Sequence, residues 1–303
     1  MSLPAASASP ASPTSPGPAA TIADRGYRRY EGPRRGPGGA VVSLYWASVQ
    51  RALGLRRPFR FKLVPIATAV ISFVPAVVFV GVSALIPDAF SEGITPSYAA
   101  GYGYITAAII LFVSLVGPEV LCADRRTGLL GLYLAAPLTR TTYLVGKAAA
   151  VGSVLSIVTI GPSLLLLVGY TLNDAGPGWP VDGLVVLLRI LLAGGAMAVF
   201  FTLLSLAIAS TTPRTGFAGA GVILSLLVSE ATVNVLIGSA EMPERLRVFE
   251  LIGLPFDVVT RVFGEENAFV EVDSLTVWGA FALWTLAFGA FLWLRYRRLA
   301  VTK

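Results

Sequence analysis

Long apolar runs separated by short polar segments dominate the pattern along this chain. A helix needs about 20 apolar residues to cross a hydrocarbon core about 30 Å thick. Six runs reach that length, and the fourth and fifth are divided only by a polar turn in which Pro213 ends a helix. The pattern therefore predicts an all-α membrane protein with six spans, at residues 63–86, 99–121, 148–172, 183–210, 216–237 and 274–294.

The segments outside these runs predict three further elements. Residues 1–42 are rich in Pro, Ala, Ser and Gly, a composition that predicts a disordered arm. Residues 43–62 mix Leu and Trp with five basic residues, which is typical of an amphipathic helix lying in the headgroup layer; a solvated basic linker is the alternative. Residues 63–303 form the membrane domain. Within it, residues 244–264 carry apolar side chains at helical spacing on both sides of a Gly-Leu-Pro break, which predicts two short external helices before the last span.

Composition and charge place the chain in a bilayer and orient it. Only 13% of the residues are charged and the mean hydropathy is +0.76, whereas roughly 25% are charged in soluble domains. Of the 23 Lys and Arg residues, 19 lie in the N-terminal region, residues 123–147, the turn at Arg214 and the C-terminal tail, and three lie in the other loops. The positive-inside rule then predicts cytoplasmic N- and C-termini in the cell (plasma) membrane. This distribution explains the net charge of +6 without a nucleic-acid partner.

Few residues are available for chemistry. The chain has no histidine, which excludes imidazole as a base or metal ligand, and its single cysteine, Cys122, excludes an internal disulfide. Gly146-Lys147 lacks the upstream glycine and the following Ser or Thr of a phosphate loop. We therefore expect no catalytic residues, no metal site and no cofactor bound by this chain.

Two charged residues lie inside predicted spans. Arg189 and Glu230 are each about 9–10 Å inward from the end of their span, at a rise of 1.5 Å per residue. Because the fourth and fifth spans are joined by a short turn, we predict that they are antiparallel neighbours and that Arg189 and Glu230 form an intramembrane ion pair, with a structural or a functional role. The spacing of Gly216 and Ala220, like that of two other Gly and Ala pairs, is typical of close helix packing.

Residues 123–147, ADRRTGLLGLYLAAPLTRTTYLVGK, join the second and third predicted spans. An acid and two arginines precede a leucine-rich run, a Pro-Leu-Thr-Arg element and a Gly-Lys pair. This order resembles the same loop in the permeases of type-2 ATP-binding-cassette (ABC) exporters. The resemblance implies a coupling helix that docks on a separate ATPase, with coupling residues Asp124, Arg125, Arg126, Gly128, Leu129, Leu130, Leu132, Pro137 and Arg140.

The resemblance also implies partners and a mechanism. The permease would form a homodimer, or a heterodimer with a second permease, and would bind two ATPase chains that hold ATP and Mg. Closure of the ATPases would move the coupling helices and expel substrate outward. Two other hypotheses stay open: an ion- or proton-coupled secondary transporter, and a membrane enzyme or scaffold.

Overall fold

A computed structural model describes residues 36–55, 58–85, 95–135, 138–266 and 268–298. Throughout these ranges the regular structure is helical, without a strand. Six helices are long and apolar enough to span a membrane, which confirms the predicted fold class. These spans are Leu63–Leu85, Thr106–Arg126, Arg140–Leu172, Val181–Ala209, Thr215–Gly238 and Ser274–Arg298.

Eleven α-helices make up this part of the chain. Five form single spans: α2 (Leu63–Leu85), α7 (Arg140–Leu172), α8 (Val181–Ala209), α9 (Thr215–Gly238) and α11 (Ser274–Arg298). The second span is composite, with α4 (Thr106–Leu111), a π-helical turn (Phe112–Val116) and α5 (Gly117–Arg126). Four helices are shorter or lie outside the spans: α1 (Pro37–Ala52), α3 (Tyr98–Tyr104), α6 (Leu129–Ala135) and α10 (Gly253–Phe263).

Several predicted boundaries were wrong. Residues 37–42 belong to α1, although they were assigned to the disordered arm, and residues 1–35 of that arm lie outside the described residues. The third span begins at Arg140 and not at residue 148, because Thr139 and Thr142 form a capping box that starts α7 there. The predicted helix over 43–62 ends early, since α1 stops at Ala52.

The π-helical turn in the second span follows from Pro118. A proline has no backbone N–H and its ring excludes the carbonyl four residues earlier, so the helical hydrogen-bond ladder is interrupted. Two carbonyl groups of this turn face neighbouring helices, and one of them accepts a hydrogen bond there. The Ser205 hydroxyl of α8 donates to the Val113 carbonyl at 2.6 Å, and Gly219 of α9 packs directly against the Ser114 carbonyl. Such compensation lets a span tolerate an irregular turn.

Pro162 in α7 is compensated in the same way. The carbonyl four residues before it, that of Val158, accepts a 3.0 Å hydrogen bond from the Ser72 hydroxyl of α2. The Thr159 hydroxyl donates to the Gly194 carbonyl of α8 at 2.9 Å. These two hydrogen bonds connect α7 to α2 and α8 in the turn that precedes Pro162.

Burial differs strongly between the spans. Two thirds of the most apolar window of the second span is buried (67%), but only 17% of the corresponding windows of α2, α9 and α11. These three helices present long apolar faces to the outside of the bundle, as expected for helices that contact lipid.

The two ends of the bundle differ in charge. Where α5, α8 and α11 finish and α7 and α9 begin, the helix ends carry Arg125, Arg126, Arg140, Arg214, Arg295, Arg297 and Arg298. We call this the basic end. At the opposite or distal end, a 3₁₀ turn (Glu244–Phe249) and α10 pack on α8, α9 and α11, which confirms the two short helices expected before the last span.

Candidate functional site

At the basic end, one buried carboxylate joins three helices. Asp124, in the last turn of α5, is inaccessible to solvent. The Lys147 Nζ atom of α7 lies 2.6 Å from Asp124 Oδ2, and the Tyr143 hydroxyl donates to the same oxygen at 2.9 Å. The other oxygen, Oδ1, pairs with the Arg51 guanidinium of α1. These four residues, which we call the Asp124 cluster, hold α1, α5 and α7 in one arrangement.

Burial makes the charges of the Asp124 cluster interdependent. The Lys147 side chain is only 2% exposed, and its Nζ atom lies 5.8 and 5.6 Å from the ring centroids of Tyr133 and Tyr143. Burial opposes the charge of the Arg51 guanidinium, but the attraction of Asp124 and its hydrogen bond outweigh this effect and raise the Arg51 pKa. Removing the Asp124 carboxylate would leave buried positive charge without compensation, and removing the cations would leave the buried carboxylate without compensation.

Two more residues of the predicted coupling set tie helix ends together. The Arg125 guanidinium donates to the carbonyl of Ser210, at the end of α8, over 2.6 Å. Arg140, the first residue of α7, donates to the carbonyl groups of Tyr296 and Arg297 at the end of α11. Cations at helix C-termini satisfy unpaired carbonyl groups and the helix dipole. Both arginines therefore connect the segment from α5 to α7, which we call the corner, to other spans.

The remaining coupling residues divide into a buried and an exposed face. Leu129 and Leu130 are half-buried, and Leu130 packs against the main core. Leu132 on the opposite side of α6 is 67% exposed. Pro137 lies outside the described residues.

The turn that leads into α6 is also exposed. Arg126 ends α5 on the surface, and Gly128 then adopts a φ of 70°, a left-handed conformation that favours glycine and closes the helix. Gly128 thus has a local structural reason to be glycine. We call the exposed set Arg126, Gly128 and Leu132 the corner surface.

The expectation that the charged residues of this segment face a partner needs correction for Asp124. Its carboxylate lies inside the protein, and its partners Arg51 and Lys147 were not among the predicted site residues. The predicted third span begins at residue 148 and excludes Lys147, whereas α7 contains it. The sequence does contain a signal for this pair: Asp124 is the acid at the end of one span, and Lys147 lies two turns into the next helix.

The predicted ion pair between Arg189 and Glu230 was also wrong. Arg189 donates a 2.7 Å hydrogen bond to the carbonyl of Phe263, the last residue of α10. The Glu230 carboxylate instead faces the backbone N–H groups of Ile252 and Gly253 at the first turn of α10, and Arg247 is the cation that acts on it. An anion thus lies at the N-terminus of α10 and a cation at its C-terminus, as the helix dipole favours. Similar depth did not imply contact, because α10 separates the two charges by about 16 Å.

A second carboxyl group near Glu230 gives the distal end a pH dependence. Burial, and then the negative charge of Glu230, raise the pKa of Glu250 from 4.5 to about 7. The folded state therefore binds a proton that the unfolded state has lost, so the contribution of Glu250 to stability is complete below pH 4.5 and disappears as the pH rises through 7. We expect the unfolding temperature of the detergent-solubilised chain to fall between pH 5 and pH 8, and Glu250→Gln to flatten this dependence.

The matched control for this prediction is Glu244→Gln, which removes a carboxylate from the 3₁₀ turn that precedes Glu250, at a position where the side chain is 34% exposed. This variant should keep the slope of the wild type. An unfolding temperature of the wild type that is constant, or that rises from pH 5 to pH 8, would contradict the prediction.

No family model matches this chain, and no curated protein matches it. The six spans establish a multi-pass membrane protein and suggest a membrane transport protein.

Proposed function

We propose that this chain is the membrane subunit of an ATP-driven exporter of the type-2 ABC permease kind. In this proposal the corner surface binds a separate ATPase subunit at the cytoplasmic side, and ATP and Mg belong to that partner. The observation that carries the proposal is a short helix, α6, with one exposed face, between two spans whose ends are fixed by the Asp124 cluster.

The exposed face of α6 supports the proposed binding. Leu132 projects an apolar side chain from a basic surface that includes Arg126. A central apolar anchor with charged neighbours is the usual composition of an energetically important contact between proteins. On the opposite face of the helix, Leu130 packs on the core, so force applied to α6 meets a packed structure and not a loose loop.

The connections behind the corner support the proposed transmission of movement. The Asp124 cluster attaches the corner to α1, Arg125 attaches it to α8, and Arg140 attaches it to α11. A displacement of the corner would therefore act on three further helices, α1, α8 and α11, through short polar contacts. Packed side chains and polar networks of this kind are able to carry energetic coupling between distant sites.

Substitutions on the corner surface test the proposed function. In proteoliposomes that contain this chain and its co-expressed ATPase, we expect Arg126→Ala combined with Leu132→Ala to weaken ATPase binding about tenfold, because truncating contact residues of this kind costs on the order of 1–2 kcal/mol. Substrate-stimulated ATP hydrolysis should fall in parallel. Pull-down of the ATPase and the rate of ATP hydrolysis are the two measurements.

The matched control is Arg297→Gln combined with Leu172→Ala. Arg297 is exposed at the basic end but outside the corner, with its guanidinium 5.3 Å from the Trp293 ring centroid, and Leu172 is exposed at the other end of α7. This pair should retain ATPase binding. The proposal fails if no ATPase co-purifies with the wild type, or if the control and the corner variant lose equal binding.

One observation favours a second candidate, a proton-coupled secondary transporter. Arg247 and the first turn of α10 lie near the Glu230 carboxylate, but its Oε2 atom is buried and has no hydrogen-bond partner among the residues that the structure describes. A carboxyl group in such a setting is suited to binding a proton. Transport by the chain alone in liposomes, driven by a proton gradient without an ATPase, would favour this candidate over the exporter.

A further inference from the structure

Two adjoining cavities form one groove between α8 and α11 on the outside of the bundle. The first, of 420 Å³, lies at the basic end and is lined by Thr211, Phe291, Leu294, Arg295 and Arg298. The second, of 380 Å³, shares Thr211 and Phe291 with it and continues toward Phe288 and Trp284. We call the two together the α8/α11 groove.

The groove changes in chemistry along its length. Its mouth holds the guanidinium groups of Arg295 and Arg298, and neither is paired with a carboxylate within the described part of the chain. Its deeper half is lined by aromatic and aliphatic side chains, including Trp284, Ala287 and Phe288. We call this apolar deeper half the trough. Two unpaired arginines beside it fit a ligand with an anionic head and a hydrocarbon tail.

The dimensions of the groove match one leaflet of a bilayer. From Arg298 to Trp284, α11 rises about 21 Å, and half of a bilayer including its headgroups measures about 20–22 Å. Trp293 is exposed just before the arginines, at the position where interfacial tryptophans mark the membrane surface. The two guanidinium groups are therefore placed at headgroup level and the trough at the level of the acyl chains.

We propose that the α8/α11 groove is a specific site for an anionic phospholipid of the surrounding membrane. The phosphate binds Arg295 and Arg298, and one acyl chain lies along Phe291, Phe288 and Trp284. Guanidinium groups bind phosphate oxygens through paired hydrogen bonds, and basic pockets between membrane helices select anionic headgroups. This site is separate from the corner surface and does not require an ATPase.

Quenching of tryptophan fluorescence tests the proposal with the full chain in mixed micelles. Phosphatidylglycerol and phosphatidylcholine, each with the same brominated acyl chains, are the probes. We expect brominated phosphatidylglycerol to quench at lower mole fraction than phosphatidylcholine, and Trp284→Phe to remove this component. Arg295→Gln combined with Arg298→Gln should weaken phosphatidylglycerol binding about 30-fold, since each interfacial arginine contributes on the order of 1 kcal/mol to attraction by anionic lipid.

Two control variants separate the site from general charge and from folding defects. Arg297→Gln removes one positive charge from the same helical turn but outside the groove, and it should keep the preference for phosphatidylglycerol. Ala287→Phe keeps both arginines but fills the trough, and it should weaken the quenching of Trp284 by either lipid. Equal quenching of the wild type by both lipids would overturn the proposal. So would an equal loss in Arg297→Gln, or displacement of the lipid by soluble glycerol phosphate, which would indicate a site for free phosphate esters.

Discussion

Replacing Asp124 with Ala is expected to lower the free energy of unfolding by about 3–5 kcal/mol, the usual cost of removing one partner from a buried ion pair. The Lys147 side chain is only 2% exposed and would lose its 2.6 Å contact with the carboxylate. The Tyr143 hydroxyl would lose its acceptor as well. Equilibrium unfolding of the purified chain in mixed micelles measures the change.

A double variant distinguishes charge compensation from packing. Asp124→Leu combined with Lys147→Met removes both buried charges and keeps similar volumes, so most of the lost stability should return, because hydrophobic replacements of buried pairs are often neutral. Arg51 tolerates this change better than Lys147 would, since 20% of its side chain reaches solvent. A loss below about 1 kcal/mol for Asp124→Ala alone would show that the carboxylate is not needed to hold α1, α5 and α7.

The proposed function gives this cluster a second consequence. If the corner receives movement from an ATPase, the Asp124 cluster is the contact through which α1 follows α5 and α7. The same residues that stabilise the fold would then set how far the corner moves as a unit. Coupled ATP hydrolysis in the double variant would separate these roles, because its charges are gone while its stability is largely restored.

The spans were predictable because their signal is local. An apolar run of sufficient length must be helical in a bilayer, where each backbone polar group needs an internal partner. Boundaries failed where a polar residue belongs to a helix through tertiary contacts. Lys147 is the main example: the predicted span begins after it, whereas in the structure its charge is paired with Asp124 within α7, which begins at Arg140.

The site was predictable in position but not in contacts. Residues 123–147 were identified as the segment of interest, yet the division into buried Asp124 and exposed Leu132 depends on how α5 and α6 turn around Gly128. Arg189 and Glu230 failed for a related reason. Their positions along the spans predict their depth in the membrane. Their partners, however, belong to α10, which is distant from Arg189 and Glu230 in the sequence.

Glycine packing leads to the second large expected effect, at Gly219. A Cβ atom on Gly219 would lie 2.3 Å from the Ser114 carbonyl oxygen, closer than atoms can approach. This oxygen belongs to the backbone of the π-helical turn, so it cannot move aside as a flexible side chain would. Gly219→Ala must therefore push α9 away from the second span, and we expect a loss of about 1–3 kcal/mol in the free energy of unfolding, as for other overpacked sites.

Gly216→Ala is the matched control, one turn earlier in α9. The small-residue spacing of Gly216 and Ala220 predicts a close helix contact, but nothing lies within 4 Å of a Cβ atom built on Gly216. Since alanine is a better helix former than glycine, this variant should equal the wild type or gain up to about 1 kcal/mol. Equal losses in the free energy of unfolding at both positions would contradict this prediction. They would mean that α9 contacts its neighbours through the face of Gly216, and that the contact of Gly219 with the π-helical turn does not set the distance between α9 and the second span.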